Sequence, residues 1–401
     1  MSENRPLTLL CLASHFKGET FLQAARRLGC TVILIAREDI ANENWPRESL
    51  EEVFLMPDLR KRPDIIYAVS YIARSRAIDQ VIALDDFDVE TAGALRDHLR
   101  LPGMSESLAR HFRDKLAMRD ITQAGGIAVP AFTPVFNYAR LSEFMAHVPP
   151  PWLLKPRSEA GSMGIATIHN PDELWPLLEQ LGDQQSFFLL EQFVEGDVFH
   201  VDGLVEDGQL IFAEAHGYAQ PPMSVYQGGG VFVTRTLERS SAEAKDLVAL
   251  NRKVLKTLGA QRGATHVEYI RSRADGQYYF LECAARVGGA NIAEAIEAAT
   301  GINLWAEWAR LEVTALLSEP YQLPARRKGY AAVLNCLAQQ ERPDLSGYQD
   351  AEVVWRLDKK HHAGLILASP DSERLQVLVD EYSRRFAQEF LAVLPPQKSG
   401  A

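Results

Sequence analysis

The sequence predicts a multidomain α/β and α+β protein. An N-terminal open parallel βαβ sheet is expected first, then two α+β subdomains with antiparallel sheets, and then a C-terminal α+β segment. The first hundred residues alternate apolar, β-branched runs with segments of helical spacing, which is typical of a parallel sheet. Six strand-like runs follow between residues 151 and 285, with turns between several of them. The length of 401 residues exceeds what one hydrophobic core usually serves.

The N-terminal sheet is predicted to present a ligand site at one edge. Ligands of open parallel sheets bind at the carboxyl ends of the strands. The turn with His15 and Lys17, and the pair Asp85 and Asp86, follow two of the predicted strands. Ordinary polar loops explain the same residues equally well. Buried strands are expected at 7–13, 31–36 and 81–86, and helices at 19–28 and 63–79.

After the first hundred residues the sequence no longer follows the βαβ pattern, and this change indicates further domains. We predict three domains, over residues 1–104, 105–320 and 321–401, with a small lid subdomain at about 130–195 inside the second. A final α+β segment is expected over 329–393. Further helices are expected at 105–125, 171–181, 241–258, 290–300 and 303–318.

Several protein classes are disfavoured. The strand–GxGxxG and GxxxxGK[ST] loops are absent, which argues against nicotinamide enzymes and P-loop NTPases. A net charge of -11 without a basic stripe argues against a nucleic-acid partner. The four cysteines are widely spaced, as expected for buried free thiols. Without a leader-like start or an apolar run of ~20 residues, we expect a cytoplasmic protein with no membrane span.

A predicted hairpin over residues 265–286 carries two glutamates. A three-residue loop that ends at Gly276 is a favoured hairpin type. With that loop, Glu268 lies directly opposite Glu282. A two-residue loop would shift the register and turn the two glutamates to opposite faces. On the first register, five side chains share one face of the hairpin: His266, Glu268, Tyr278, Phe280 and Glu282.

Two carboxylates that face each other need compensation. At ~4 Å and an effective dielectric constant of about 20 they repel by about 4 kcal/mol. A shared proton or a divalent cation would offset this repulsion. Mg²⁺ prefers carboxylate oxygens and commonly keeps phosphate and water as its other ligands. The facing pair therefore predicts a site for Mg²⁺, with Mn²⁺ as an alternative ion.

A strand that carries Lys155 runs into a loop of small residues. Gly161 and Gly164 allow the backbone to approach a phosphate group closely. Ser158 and Ser162 can donate hydrogen bonds, and the lysine supplies a positive charge. The loop is a candidate phosphate site, although many surface hairpins have a similar composition.

A second candidate segment begins where an apolar strand ends at Glu191. The backbone of the linker that follows can hydrogen-bond the edge of an adenine while Phe193 or Val194 packs beside it. The next strand carries His200 and Asp202 on one face. An ordinary hairpin with an acidic turn fits these residues as well.

The order of the pieces is more specific than any one of them. It resembles the ATP-grasp superfamily over roughly residues 5–395, and looks closest to the carboxylate–amine ligases, including the L-amino acid ligases, and to the biotin-carboxylase-like branch. The motifs that carry the resemblance are RDKLAMRD (113–120), LLKPRSEAGSMG (153–164), EQFVEGDVFHVDG (191–203), THVEYI (265–270) and LECAARVGGANI (281–292).

The resemblance implies roles for matching positions. Lys115 and Lys155 would contact ATP, residues 158–164 would form a mobile lid over its phosphates, and the facing glutamates would hold Mg²⁺. Arg286 would stabilise the transferring phosphoryl group. The catalytic assignment therefore rests on Arg286 and Lys155.

The adenosine half of ATP is assigned in the same way. Glu191 and Val194 would meet the adenine, with Phe193 packed nearby, and Asp197 or His200 would lie near the ribose.

The sequence identifies the substrate-binding residues less specifically than the ATP-binding residues. Residues 214–235 are expected to select the substrate, with Arg235 as a partner for a carboxylate, although a loop without a ligand role fits as well. By resemblance, Gly288 and Gly289 would let the backbone come close to the substrate. His266 shares the face of the glutamates and is either a substrate contact or a structural residue.

One position departs from the family pattern. Many members carry Glu-x-Asn at the second metal position, but here Glu282 is followed two residues later by Ala284. Asn291 would replace the missing ligand, or Glu268 and Glu282 would serve with fewer protein ligands.

The resulting prediction is an ATP-dependent carboxylate–amine ligase. It would activate a small carboxylate as an acyl phosphate for attack by an amine and release ADP and phosphate. Two alternatives remain: a bicarbonate-using carboxylase-type enzyme and a non-catalytic nucleotide-binding module. The expected partners are a small carboxylate and an amine, and homodimers are expected only by analogy with related enzymes.

Overall fold

The computed structural model describes residues 5–392. The ends of the predicted first and last domains, residues 1–4 and 393–401, lie outside the described residues. The predicted fold class is confirmed, because one parallel sheet is followed by two antiparallel sheets with helices packed on them.

The N-terminal sheet is parallel and four-stranded. Its strands are β1 (Thr8–Ala13), β2 (Thr31–Arg37), β3 (Glu52–Met56) and β4 (Gln80–Ala83), with helices α1 (Glu19–Arg27), α2 (Arg62–Ile72) and α3 (Val89–Leu99). The strand order β3-β2-β1-β4 places the first strand between the second and the fourth. Because the order reverses between β1 and β4, the carboxyl ends of these two strands are the position at which open parallel sheets usually bind a ligand.

In this region one predicted helix is too long, and one strand was not predicted. The predicted helix 63–79 ends at Ile72, and Arg76 lies beyond it as the ion-pair partner of Glu52 on β3. That strand was not predicted, because it is short and only half-buried at the edge of the sheet. Tertiary pairing, which the local pattern does not record, decides both cases.

The predicted helix 105–125 is also divided. It forms α4 (Glu106–Ala109) and α5 (Lys115–Ala124), with a break at Asp114. The side chain of Asp114 accepts hydrogen bonds from the backbone N–H groups of Leu116 and Ala117, which starts a new helix at that point.

A second sheet, called here the small sheet, contains β5 (Phe132–Pro134), β6 (Trp152–Pro156), β7 (Ala166–Ile168) and β8 (Phe188–Gln192) in the order β5-β8-β6-β7. Helices α6 (Tyr138–His147) and α7 (Pro171–Leu181) pack on it through the apolar residues Leu141, Trp152 and Leu174. It spans 132–192, close to the range of the predicted lid subdomain.

The third sheet, called here the large sheet, has eight strands among the described residues. They are β9 (Gly196–Glu206), β10 (Gln209–Tyr218), β11 (Phe232–Thr236), β12 (Gly263–Ser272), β13 (Tyr278–Ala284), β14 (Tyr330–Leu337), β15 (Val353–Arg356) and β16 (His362–Ser369). Their order is β13-β12-β9-β10-β11-β14-β16-β15. The last three strands of the chain, β14 to β16, join this sheet through the β11–β14 pair.

Five helices accompany the large sheet. Helix α11 (Leu304–Leu317) packs against α1, where the rings of Phe21 and Trp308 meet edge to face at 5.1 Å. The first sheet and the large sheet therefore share one apolar core. Within residues 5–392, no helix is both long and apolar enough to cross a membrane. The helices are α8 (Pro222–Gly228), α9 (Ala242–Leu258), α10 (Ile292–Thr300), α11 (Leu304–Leu317) and α12 (Ser372–Glu389).

Candidate nucleotide and metal site

A cavity of about 410 Å³ lies between the small sheet and the large sheet. Apolar side chains such as Leu153 and Ile270 line part of it, and charged side chains line the rest. This combination suits a ligand with one flat apolar end and one charged end. Eight of the residues that the sequence singled out line the cavity: Lys115, Lys155, Ser162, Glu191, Phe193, Val194, Glu268 and Glu282.

Glu268 and Glu282 are direct partners in the β12–β13 register. The hairpin loop that joins the strands has four residues, 273–276, one more than predicted, since Ser272 already pairs with Gln277. A β-bulge restores the register, because Leu281 has no partner between the pairs of Phe280 and Glu282. The two carboxylates therefore face each other as expected, but through a four-residue loop and a bulge and not through a three-residue loop.

The bulge moves two other side chains. Phe280 and Tyr278 were predicted to share the face of the glutamates, and this was wrong. Phe280 pairs with Tyr269 and lies with Val267 in the core beneath α9. Leu281, which strict alternation would place on the face opposite the glutamates, lines the cavity with them.

Lys115 supplies the charge that Glu282 needs. Its Nζ lies 2.9 Å from Glu282 Oε2. Burial alone would raise the pKa of Glu282, but the ammonium group holds this pKa below its usual range. The carboxylate is therefore ionised and able to bind a cation.

The second lysine is fixed by a buried ion pair. Lys155 Nζ lies 2.5 Å from Glu191 Oε1, and Arg119 Nε lies 2.7 Å from Glu191 Oε2. Burial would raise the pKa of Glu191, but the two cations lower it. Glu191 thus reaches the cavity mainly as an anchor for Lys155, because its carboxylate is already occupied.

Sequence reasoning missed Arg119. Its side chain is 1% exposed, lines the cavity, and also donates to the carbonyl oxygen of Leu281. It lies one helical turn after Lys115 in α5, so the spacing of two cations by four residues was an available signal.

Glu268 is oriented by two neighbours. The Tyr218 hydroxyl donates to Glu268 Oε1 at 2.8 Å, and His266 Nε2 lies 3.5 Å from the same oxygen. Burial would lower the pKa of His266, but the carboxylates of Asp202 and Glu268 raise it to about 10. His266 contacts Glu268 but does not itself line the cavity.

The loop after β6 has a fixed root and an open tip. At the root, Arg113 donates to the carbonyl oxygen of Ser158, and Lys115 Nζ donates to that of Glu159 at 2.6 Å. At the tip, Gly161 and Gly164 have φ of +65° and +70°, which favours glycine. Of the predicted lid residues 158–164, Glu159, Ser162 and Met163 line the cavity, whereas Ser158, Gly161 and Gly164 do not.

Other predicted residues lie elsewhere. His200 is fully buried within the large sheet, which contradicts a position near a ribose in the cavity. The side chain of Asp197 is 62% exposed and pairs with Arg273. Asn291 precedes α10 and does not line the cavity, so the structure does not place it with the two glutamates.

The proposed substrate glycines differ from each other. A Cβ at Gly288 would lie 2.6 Å from Asp202 Oδ1 and 3.1 Å from His266 Nδ1, whereas one at Gly289 would meet nothing within 4 Å. Gly288 is thus required by side chains within the protein, which corrects the expectation that it serves the substrate.

Arg286 lies at the junction of the first sheet and the hairpin. Its Nη2 donates to Asp86 Oδ2 at 3.0 Å, and Arg113 Nη1 lies 3.6 Å from that oxygen. Burial would raise the pKa of Asp86, but the two guanidinium groups lower it. Arg286 Nε and Asp86 Oδ1 are buried without a hydrogen-bond partner within residues 5–392, and neither residue lines the cavity.

Further charged side chains lie at the carboxyl ends of β1 and β4 in the first sheet. His15 Nδ1 lies 2.5 Å from Asp85 Oδ2, and Lys17 Nζ lies 3.2 Å from Asp85 Oδ1. These residues stand beside Asp86 and Arg286, so the carboxyl ends of these strands and the hairpin form one charged surface.

The donor set fits a divalent cation of the hard type. Two carboxylates face each other, one of them with a lowered pKa, and water and phosphate would complete the coordination. The two lysines can pair with phosphate groups, and the apolar part of the cavity can hold a flat ring.

The central part of the chain matches a known domain family. Residues 148–294 match the ATP-grasp domain. An L-arginine-specific L-amino acid ligase from Bacillus subtilis is 24% identical over 264 residues, which cover 64% of this chain and 62% of that protein. The match therefore spans less than two thirds of that relative.

Two solved structures share the fold over almost the whole chain. The L-amino acid ligase from Bacillus licheniformis has a TM-score of 0.75 at 18% identity and covers 98% of this chain and 100% of its own. The N5-carboxyaminoimidazole synthetase from Staphylococcus aureus complexed with ADP has a TM-score of 0.72 at 13% identity, covering 95% and 97%. At these identities the likeness concerns the fold alone.

Proposed function

This chain carries an ATP-grasp domain within an ATP-grasp fold, and from that premise we propose that it is an ATP-dependent carboxylate–amine ligase. A small carboxylate would be activated as an acyl phosphate, and an amine would then displace phosphate. The observation that carries the proposal is that Lys115, Lys155, Glu268 and Glu282 line a single cavity.

ATP would bind with its base in the apolar part of the cavity. The backbone of residues 192–194 would meet the adenine edge, with Phe193 and Val194 beside the ring. The phosphates would then point to Lys115 and Lys155, under the loop 158–164. The ion pair with Glu191 holds Lys155 in place before ATP arrives, which lowers the entropic cost of positioning.

Glu268 and Glu282 would hold Mg²⁺, which supplies charge neutralisation for phosphoryl transfer when bound. Tyr218 and His266 fix one oxygen of Glu268 for this purpose. Lys115 would move its contact from Glu282 to the phosphates as ATP and the cation enter. The carboxylates need no third side chain in this arrangement, consistent with alanine at position 284.

The substrate would bind between the cavity and the first sheet. Arg286 would stabilise the carboxylate oxygens as they attack the γ-phosphate, and its buried Nε is the donor available for this. The free oxygen of Asp86 would accept a hydrogen bond from an amino group. An amino acid offers both groups, and the ligases of the two Bacillus species carry such substrates in their names.

ADP release measures this proposal directly. The chain would be incubated with Mg-ATP and pools of amino acids and small acids, singly and in pairs. We expect ADP release that depends on an acid and rises with an amine. Dependence on bicarbonate alone would indicate the carboxylase alternative. ATP binding without turnover under every condition would contradict the ligase proposal.

A further inference from the structure

Three histidines surround a buried carboxylate in the large sheet. His200 and Asp202 lie on β9, His216 on β10 and His266 on β12. The register pairs His216 with His200 and His266 with Asp202, which places all four on one face. The side chain of Asp202 is 0% exposed and none of the three histidines exceeds 9%.

The same ring atom of each histidine points at Asp202. The distances from Nδ1 to the nearer carboxylate oxygen are 2.6 Å for His200, 2.9 Å for His266 and 3.8 Å for His216. The rings of His200 and His216 are stacked at 4.7 Å and nearly parallel, so their Nδ1 atoms are presented side by side. His216 Nδ1 is buried without a hydrogen-bond partner in the described part of the chain.

The other ring nitrogen of each histidine, Nε2, lies near a side-chain oxygen. His200 Nε2 lies 2.6 Å from Thr234 Oγ1, and His216 Nε2 lies 3.4 Å from Thr236 Oγ1. His266 Nε2 lies 3.5 Å from Glu268 Oε1. A histidine that binds a metal through one nitrogen usually donates the other N–H to an oxygen, which fixes the ring and its tautomer.

We propose that His200, His216, His266 and Asp202 form a binding site for a transition-metal ion of the zinc type. Three imidazoles and a carboxylate match the ligands that zinc takes in closed tetrahedral sites. Donor atoms in such a site lie about 3.3 Å apart for bonds of ~2.0–2.1 Å. His200 and His266 lie 2.6 and 2.9 Å from Asp202, and donor atoms of these three residues all lie within 4.8 Å of one another. His216, at 3.8 Å from Asp202, lies outside that group and would have to move inward to become the fourth ligand.

This site is separate from the proposed Mg²⁺ site. Its donors are mostly nitrogen, whereas the cavity offers facing carboxylates, so the two sites select different ions. It has no open position for a substrate, because its ligands are buried, and its role is structural. A metal at His266 Nδ1 keeps the Nε2 proton on the side of Glu268, so the ion would also orient that glutamate.

Gly288 supports the assignment. A side chain there would meet Asp202 Oδ1 at 2.6 Å and His266 Nδ1 at 3.1 Å, so glycine leaves room beside two of the four ligands.

Metal content tests the proposal without any nucleotide. The untagged full chain would be produced with Zn²⁺ in the medium, dialysed against a weak chelator, and analysed by mass spectrometry for metals. A second sample would be produced with Co²⁺ in place of Zn²⁺. We expect about one ion per chain, and for Co²⁺ the strong visible absorption of a tetrahedral site with nitrogen and oxygen ligands.

Variants identify the ligands. His216→Gln and Asp202→Asn should each lower the retained metal by roughly tenfold or more. His169→Gln, at an exposed histidine, is the matched control and should retain it. Circular dichroism would establish that each variant is folded. If neither variant folds, X-ray absorption of the metal in the unmodified chain decides the matter through the number of imidazole ligands.

Two results would overturn the site. One is an unmodified chain that retains no stoichiometric Zn²⁺ or Co²⁺. The other is a metal that persists in folded His216→Gln and Asp202→Asn, or that shows no histidine ligation. In either case the four side chains form only a hydrogen-bonded network behind Glu268. Neither result bears on ADP release, so this proposal and the ligase proposal fail separately.

Discussion

Glu268 and Glu282 face each other across neighbouring strands because a single extra residue, Leu281, is inserted into β13 after a four-residue loop. The bulge brings both carboxylates and Leu281 to the cavity. Bulges often re-aim side chains next to active sites, and here the result is a pair of like charges at one position. The account of this protein as a Mg-ATP enzyme depends on that pair.

Replacement of Glu282 by glutamine should abolish ATP turnover. The amide keeps the size of the side chain but removes the charge that would hold the cation and that Lys115 now compensates. We expect a loss of at least about 100-fold in the rate of ADP release, with an unchanged fold by circular dichroism. Glu179→Gln, on the exposed face of α7, should behave as the unmodified chain. Full activity in the Glu282 variant would rule out the assignment.

Lys155→Ala and Glu191→Ala should separate catalysis from stability. Both should lose ATP turnover. Glu191→Ala should also cost roughly 3–5 kcal/mol of unfolding free energy, because it leaves Arg119 and Lys155 buried without their anion. Lys155→Ala should cost less, since Arg119 still pairs with the carboxylate.

Urea unfolding measures this difference. Glu195→Ala, with a side chain 72% exposed, is the control and should change stability by no more than about 0.5 kcal/mol. Equal stability of the Glu191 and Lys155 variants would show that the Arg119 pair does not hold the cavity together.

Gly288→Ala should destabilise the chain, whereas Gly289→Ala should not. The new Cβ at 288 would lie 2.6 Å from a buried carboxylate oxygen of Asp202, but at 289 it would meet nothing within 4 Å. We expect a cost of about 1–3 kcal/mol at the first position, measured by thermal or urea unfolding. Similar stability of the two variants would contradict the packing described around His266.

The stability of Asp88→Asn relative to the unmodified chain should depend on pH. Burial raises the pKa of Asp88 to about 7, despite hydrogen bonds from Ser14. The folded state therefore binds a proton that the unfolded state releases above its ordinary pKa of about 3.8. The stability from this proton is complete below pH ~3.8 and is lost as pH rises towards 7.

Asparagine resembles the neutral acid, so the advantage of Asp88→Asn should grow between pH 4 and 7, by at most roughly 1.4 kcal/mol per unit. Urea unfolding at several pH values measures it. Asp64→Asn, exposed on α2, should show no such trend. A constant or declining difference for Asp88→Asn would mean that Ser14 outweighs burial.

Much of the fold was predictable because local patterns and tertiary structure agree. The strands β1 and β2 are buried and apolar, β2 is also rich in β-branched residues, and α9 has Ser241 at its start and Gly259 at its end. The local pattern did not predict the structure where it depends on residues that are distant in the sequence. Asp114 starts a new helix and pairs with Arg157, which lies between β6 and the loop 158–164, and no window around residue 114 contains that partner.

The sequence grouped Lys115, Lys155, Glu268 and Glu282, which line one cavity, but it missed Arg119 beside them. The facing glutamates were found although the loop length was wrong, because the bulge at Leu281 offsets the longer loop. His200 was misplaced, because alternation shows which residues share a face but not how deep they lie in the sheet. The link between Arg119 and Glu191 joins residues 72 positions apart, beyond the reach of any local pattern.

The transfer of a carboxylate oxygen to phosphate tests the central claim most directly. An acid that stimulates ADP release would be supplied with its carboxylate labelled by the heavy isotope of oxygen, and the released phosphate analysed by mass spectrometry. Attack of the carboxylate on the γ-phosphate predicts that each phosphate carries one oxygen from the acid, and that Glu282→Gln releases none. Turnover that yields unlabelled phosphate would contradict an acyl phosphate, and with it the ligase account of the cavity.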